Sequence, residues 1–188
     1  PNLRLEERLS VAEDLDLLKN FKELDVDITI TSLDEKWVKL TEPFSSTIKE
    51  RLKCLKILHQ EGIATYVLMG PYWPIFTKPE ELFKEFKRVG IKHVFTESFN
   101  MVGGNWTGVE SVLKRHYPRL LLKIKYTLSN KNAFNNFYAE AEDKIKNAFA
   151  NLQPKNKVRH YEFWGGQGKW VCWKLQNIIL DKKKNPNF

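Results

Sequence analysis

Apolar positions between residues 10 and 97 alternate between helical spacing and short unbroken runs, with a repeat of about 30 residues. Ser10 and Glu13 have capping-box spacing, and Leu15, Leu17, Leu18 and Phe21 continue an apolar stripe, which predicts a helix over 11–24. A short strand over 26–31 follows. Asp34 is placed to cap a short helix carrying Trp37, Val38 and Leu40, with Pro43 just beyond. Thr47 and Glu50 repeat the capping box ahead of Leu52, Leu55, Ile57 and Leu58, and Gly62 is placed to end that helix. "ATYVLMG" (64–70) is a nearly continuous apolar run, as in a strand buried on both faces. Thr77 and Glu80 bracket a third capping box with Pro79 in the first turn, and the helix runs through Leu82, Phe83, Phe86 and Val89 to Gly90. "IKHVFTE" (91–97) reads as another strand.

Helices alternating with buried strands build parallel sheets and (β/α) barrels. After Asn100 the regularity fails. "MVGGNW" reads as a loop, 107–116 as a short helix, and 131–150 as a longer one with Phe134, Phe137, Ile145, Ala148 and Phe149. A strand over 157–163 and a helix near 170–179 complete the prediction, and 117–130 carries no assigned element. Three strands cannot close a barrel. The expected fold is therefore α/β: a partial (β/α) barrel with parallel strands over 1–106, its earlier strands missing, and a mostly helical C-terminal extension over 107–188.

Composition narrows the functional classes. The 188 residues suit one domain or most of a larger one, and 42% hydrophobic with 29% charged residues is ordinary for a globular protein. No run of about 18 apolar residues is present, and "PNLRLEERLS" lacks a signal-peptide pattern, so a cytoplasmic, membrane-free protein is expected. The net charge of +8 favours anionic partners such as nucleic acid, but only "DKKKNPNF" is a compact basic run. Two cysteines, Cys54 and Cys172, both in helical patterns, and four scattered histidines predict neither a disulfide framework nor a metal site. "FWGGQGKW" (163–170) fails the phosphate-loop test, since Phe163 and Trp170 stand where a Gly and a Ser or Thr are required.

Ligands gather at the carboxyl ends of parallel strands. Three polar clusters fall there: Thr31-Ser32, Gly70-Pro71, and Glu97-Ser98 with Asn100. Their hydroxyls and amides suit a ribose or a carboxylate, or else cap the next helix. Arg51 sits in the first turn of its helix, against the dipole, where it either clamps a carboxylate or pairs with Glu42.

"ITITSLDEKWVKLTEP", "TIKERLKCLKILHQEGIATYVLMGP" and "FTESFNMVGGNW" resemble the later part of radical S-adenosylmethionine proteins of the spore-photoproduct-lyase-like group. "AEDLDLLKNF" resembles the helix after that group's third strand, and the likeness covers roughly 10–106. It implies a (β/α)6 partial barrel, a [4Fe-4S] cluster, and reductive cleavage of S-adenosylmethionine to a 5′-deoxyadenosyl radical in a lyase-like enzyme. The group's Cys-x3-Cys-x2-Cys motif is absent here, so the cluster is expected from an N-terminal half or a companion chain. Carried onto this sequence, the resemblance gives Thr31, Ser32, Arg51, Gly70 and Asn100 as cofactor contacts, with the "TSLDE" turn as the rim of strand four. Arg51→Ala is then expected to weaken S-adenosylmethionine binding and leave the melting temperature nearly unchanged. The alternatives are a non-catalytic basic module for nucleic acid derived from that fold, and an unrelated small α/β enzyme.

Overall fold

The computed structural model describes residues 14–101, 104–151, 160–165 and 168–174, with side chains through residue 149. Helix α1 (Leu15–Leu18) is a single turn. Among the described residues the apolar stripe that predicts a helix over 11–24 is only partly covered: Leu15 and Leu18 are half-buried, while Leu17 and Phe21 are 59% and 57% exposed. Ser10 and Glu13 lie outside the described residues.

Strand β1 (Asp25–Thr29) leads into α2 (Glu35–Thr41), where the Asp34 carboxylate accepts the Trp37 amide at 2.9 Å as expected of an N-cap. Helix α3 (Ile48–Gln60) opens on the predicted capping box. The Glu50 amide donates to Thr47 Oγ1 at 3.3 Å, and the Thr47 amide to Glu50 Oε2 at 2.8 Å. After β2 (Ala64–Leu68) comes α4 (Pro79–Arg88), which has no capping box. Its N-cap is Lys78, with Pro79 at the first helical position. Thr77 is buried, and its hydroxyl is taken by long-range bonds, donating to the Thr31 carbonyl at 2.7 Å and accepting the Trp73 amide at 2.9 Å. Gly90, φ +88°, turns the chain into β3 (His93–Thr96); an added Cβ there would lie 2.2 Å from the His59 ring.

The C-terminal part adds α5 (Asn105–His116), α6 (Pro118–Ser129), α7 (Lys131–Asn151) and a hairpin of β4 (His160–Gly165) and β5 (Gly168–Lys174). Helix α6 occupies the stretch without a predicted element. Strand β5 stands where a helix near 170–179 is expected, which places Cys172 in a strand; 175–179 lies outside the described residues. The alternating "GKWVCWK" finds its partner in the edge of β3.

The sheet has five strands in the order β1-β2-β3-β5-β4. β1, β2 and β3 are parallel, as predicted, while β5 runs antiparallel to β3 and to β4. Helices α3 and α4 pack on one face of the parallel strands, where Val67, Met69 and Val94 are fully buried beside Leu55, Leu82, Phe83 and Phe86. α7 lies over α4, with Phe149 edge-on to Phe83 at 6.0 Å. Leu113, Ile124, Ala141 and Ile145 belong to the same core, so the helices after residue 104 share it with the sheet. Fully burying each of the Val, Leu, Ile, Met and Phe side chains among these stabilises the fold by about 1.5–3 kcal/mol.

Burial alternates along the strands. Thr65 and Val67 of β2 and Val94 and Thr96 of β3 are buried, whereas Tyr66, Leu68, His93 and Phe95 are only half-buried. The run 64–70, expected to be buried on both faces, is thus fully covered on one.

Candidate functional site

The carboxyl ends of β1, β2 and β3 do meet on one rim: β1 and β2 pair through Thr29 and Leu68, and β2 and β3 through Leu68 and Phe95. Three of the predicted residues there, Thr31, Ser32 and Arg51, make hydrogen bonds within the chain. Ser32 is buried; its hydroxyl donates to the Phe76 carbonyl at 2.6 Å and accepts the Asp34 amide at 3.0 Å. Thr31 is buried too, and donates to Glu42 Oε1 at 3.3 Å. Arg51 donates from Nε to the Ser46 carbonyl, from Nη1 to the Thr29 carbonyl and from Nη2 to Glu42, at 3.0, 2.7 and 2.5 Å. It is 8% exposed and ties the start of α3 to the ends of β1 and α2. The dipole cost of a cation in the first turn is outweighed by these three acceptors. Of the two roles its sequence position allows, the structure forms the pair with Glu42, and these three contacts now predict that loss of Arg51 lowers stability. Gly70 is buried, with a cis bond to Pro71, and Asn100 is exposed beyond β3.

The sheet face turned away from α3 and α4 carries a second set of residues. Alternation places Asp25, Asp27 and Thr29 of β1, Tyr66 and Leu68 of β2, and His93 and Phe95 of β3 on it. The register stacks them in rows. Asp27 lies beside Tyr66 and Tyr66 beside His93; Thr29 lies beside Leu68 and Leu68 beside Phe95. The rings confirm the common face, with Tyr66 5.1 Å from His93 and 5.5 Å from Phe95. The ladder continues as the Met69 amide donates to Phe95 and the Tyr72 amide to Glu97, at 2.7 and 2.8 Å. Gly70 and Glu97 form the next row, so close that a Cβ at Gly70 would meet Glu97 Cγ at 2.6 Å. Only glycine admits the Glu97 chain across this strand.

Burial governs the ionisation of this face. It raises the Glu97 carboxyl above the usual range. It also raises Asp27, assisted by Asp25 and opposed by the Leu68 and Ile28 amides. Tyr72, against which Glu80 acts as well, is pushed up to about 12. The Tyr138 phenol is raised mainly by burial; it accepts the Phe99 amide at 2.9 Å and donates to the Tyr72 carbonyl at 3.0 Å. Glu97 appears among the polar clusters legible in the sequence, but Asp27 does not. Its signal is an acidic residue at every second position of β1, Asp25 and Asp27.

At the opposite end of β2 and β3 a cleft of about 420 Å³ is lined by His59, Tyr66, Lys92 and His93 among others. Among the described residues no group of three or more His, Cys, Asp or Glu side chains is placed to hold a metal, and no helix is long and apolar enough to cross a membrane.

No family model matches the chain, and no solved structure matches it. An uncharacterized protein of Methanocaldococcus jannaschii is 29% identical over 136 residues, covering 72% of this chain and 50% of that protein. An uncharacterized protein of Acidianus two-tailed virus is 30% identical over 111 residues, covering 55% of this chain and 37% of its own length. The chain thus spans half of the archaeal relative and little more than a third of the viral one.

Proposed function

We propose that this chain is the later part of a radical S-adenosylmethionine-type partial (β/α) barrel, whose open sheet face receives the cofactor. The observation that carries this reading is three consecutive parallel strands with α3 and α4 on one face and, among the described residues, half-buried or exposed side chains on the other. Such a surface is the inner wall of a barrel, where its ligands bind at the carboxyl ends of the strands. The match covers only half of the archaeal relative, which agrees with a complementary half in that protein.

The chain's own residues do not fit an iron–sulfur cluster. Three thiolates are needed where it has two cysteines, one in α3 and one in β5. No electron-transfer step is assigned to these residues. Their part is binding and orientation: Thr29, Leu68, Phe95 and Glu97 form the contact surface, and Thr31, Ser32 and Arg51 hold the rim that frames it. Gly70 supplies the close approach beneath Glu97.

Calorimetric titration of S-adenosylmethionine into the 188-residue chain tests the binding reading; no heat of binding, with or without a cysteine-bearing complementary segment, refutes it. Anaerobic reconstitution with iron and sulfide tests the rest. The chain alone is expected to hold no cluster and form no 5′-deoxyadenosine, and to do both once the complementary segment is supplied. The nucleic-acid alternative draws on the net charge of +8, but β1, β2 and β3 place no Lys or Arg on the open face.

A further inference from the structure

We infer that Glu97 is the counter-charge for a small organic cation, a sulfonium or an ammonium, seated on the open sheet face at the carboxyl end of β3. The inference rests on that face being the ligand site and adds the charge of what it takes.

Position comes first. Glu97 continues the row pattern above Phe95, across from Gly70, and its chain lies against the Gly70 backbone. That contact restricts the side chain before any ligand arrives, which lowers the ordering cost of binding. Second, the Glu97 carboxylate is half-buried, and among the described residues it has neither an ion pair nor a side-chain hydrogen-bond partner. The Tyr138 hydroxyl nearby is already spent on the Phe99 amide and the Tyr72 carbonyl. A half-buried carboxylate costs free energy unless something charged or hydrogen-bonding completes it, and here burial alone accounts for its raised pKa.

Third, the charge of the surroundings is one-sided. The chain holds 31 Lys and Arg, yet the open-face positions of β1, β2 and β3 hold none; their charged members are Asp25, Asp27 and Glu97, with His93. Lys174 stands in register opposite His93, two rows from Glu97. Leu68 and Phe95 directly below Glu97 supply an apolar, aromatic floor, on which an onium group loses little by leaving water. An anion would meet the Glu97 carboxylate directly, whereas Lys174 stands two rows away.

The test compares three probes by calorimetry on the full chain: S-adenosylmethionine; S-adenosylhomocysteine, which lacks the sulfonium; and 5′-methylthioadenosine, which also lacks the ammonium. A charge-assisted contact predicts that losing the recognised cation weakens binding by at least about tenfold. Loss at the first step identifies the sulfonium, and loss only at the second identifies the ammonium, rather than the carboxylate that leaves with it, when Glu97→Gln abolishes it. Glu97→Gln, nearly isosteric, should bring the ratio close to one, and Glu97→Asp should keep part of it. Circular dichroism melts establish that both variants fold. A wild-type chain indifferent to ligand charge, or an undiminished preference in Glu97→Gln, overturns the inference while leaving the site reading standing. A wild-type chain that binds none of the three overturns both.

Discussion

Replacing Arg51 with alanine would remove three hydrogen bonds at once, and each spans a different pair of elements. The guanidinium holds the Thr29 carbonyl at the end of β1, the Ser46 carbonyl before α3 and the Glu42 carboxylate after α2. A hydrogen bond to a charged group nets about 1.5–3 kcal/mol, and removing one partner of a buried pair costs about 3–5 kcal/mol. The Glu42 side chain keeps 26% exposure, so water recovers part of its solvation. We therefore expect a loss of about 3 kcal/mol, near the bottom of the buried-pair range. For a chain of this size each kcal/mol moves Tm by about 2–4 °C, giving a fall of about 6–12 °C. Glu42→Gln leaves both carbonyl contacts in place and should cost about 1–2 kcal/mol. In the double mutant the costs should fall short of additivity by about 1 kcal/mol, the coupling of the pair. Urea unfolding followed by far-ultraviolet circular dichroism, at constant m, measures all three. An Arg51→Ala variant within about 0.5 kcal/mol of wild type, as for a surface substitution, would refute the structural role.

Gly90→Ala places a methyl against the His59 ring at positive φ and should lose about 2 kcal/mol or more in the same assay. Thr47→Ala removes one half of the α3 capping box and should cost about 1 kcal/mol, visible as a lower urea midpoint. Phe149→Ala opens a cavity between α7 and α4 and should cost about 3–5 kcal/mol. Burial raises the Glu97 pKa in the folded state, so the native state binds more protons than the unfolded chain, and its contribution to stability falls as pH rises from the usual carboxylate range through the folded value. Thermal melts of Glu97→Gln should therefore match wild type in acid below that window and be at least as high at neutral pH; a lower melting temperature at neutral pH alone would contradict the sign.

What was legible in the sequence is what is decided locally. The Asp34 cap and the Thr47–Glu50 box need only neighbours three residues away, and both form as read. Thr77 carries the same local signal, but bonds to Thr31 and Trp73 across the fold outbid it. Helix α6 was hidden because Lys123 and Lys125 flank Ile124 in a strand-like alternation, while its burial rests on Ile124 and Leu128 four residues apart. Strand β5 depends on the exposed edge of β3, a partner over 70 residues away in the chain. The open face is likewise invisible in one dimension. Alternation assigns Tyr66, His93 and Glu97 to one side, but only packing reveals which side the helices leave bare.

The position of β1 at the margin of the sheet bears on solubility as well as on ligands. A bare strand edge is a template on which a second copy can add, and natural sheets guard such edges with charge. Asp25 and Asp27 stand two residues apart on this one, over a strand only five residues long. Two copies meeting edge to edge would crowd four carboxylates together, in a setting where burial already makes ionisation of Asp27 unfavourable. Crowding of that charge opposes the addition of a second copy along β1. Any attempt to join further strands at this margin has to accommodate the same carboxylates.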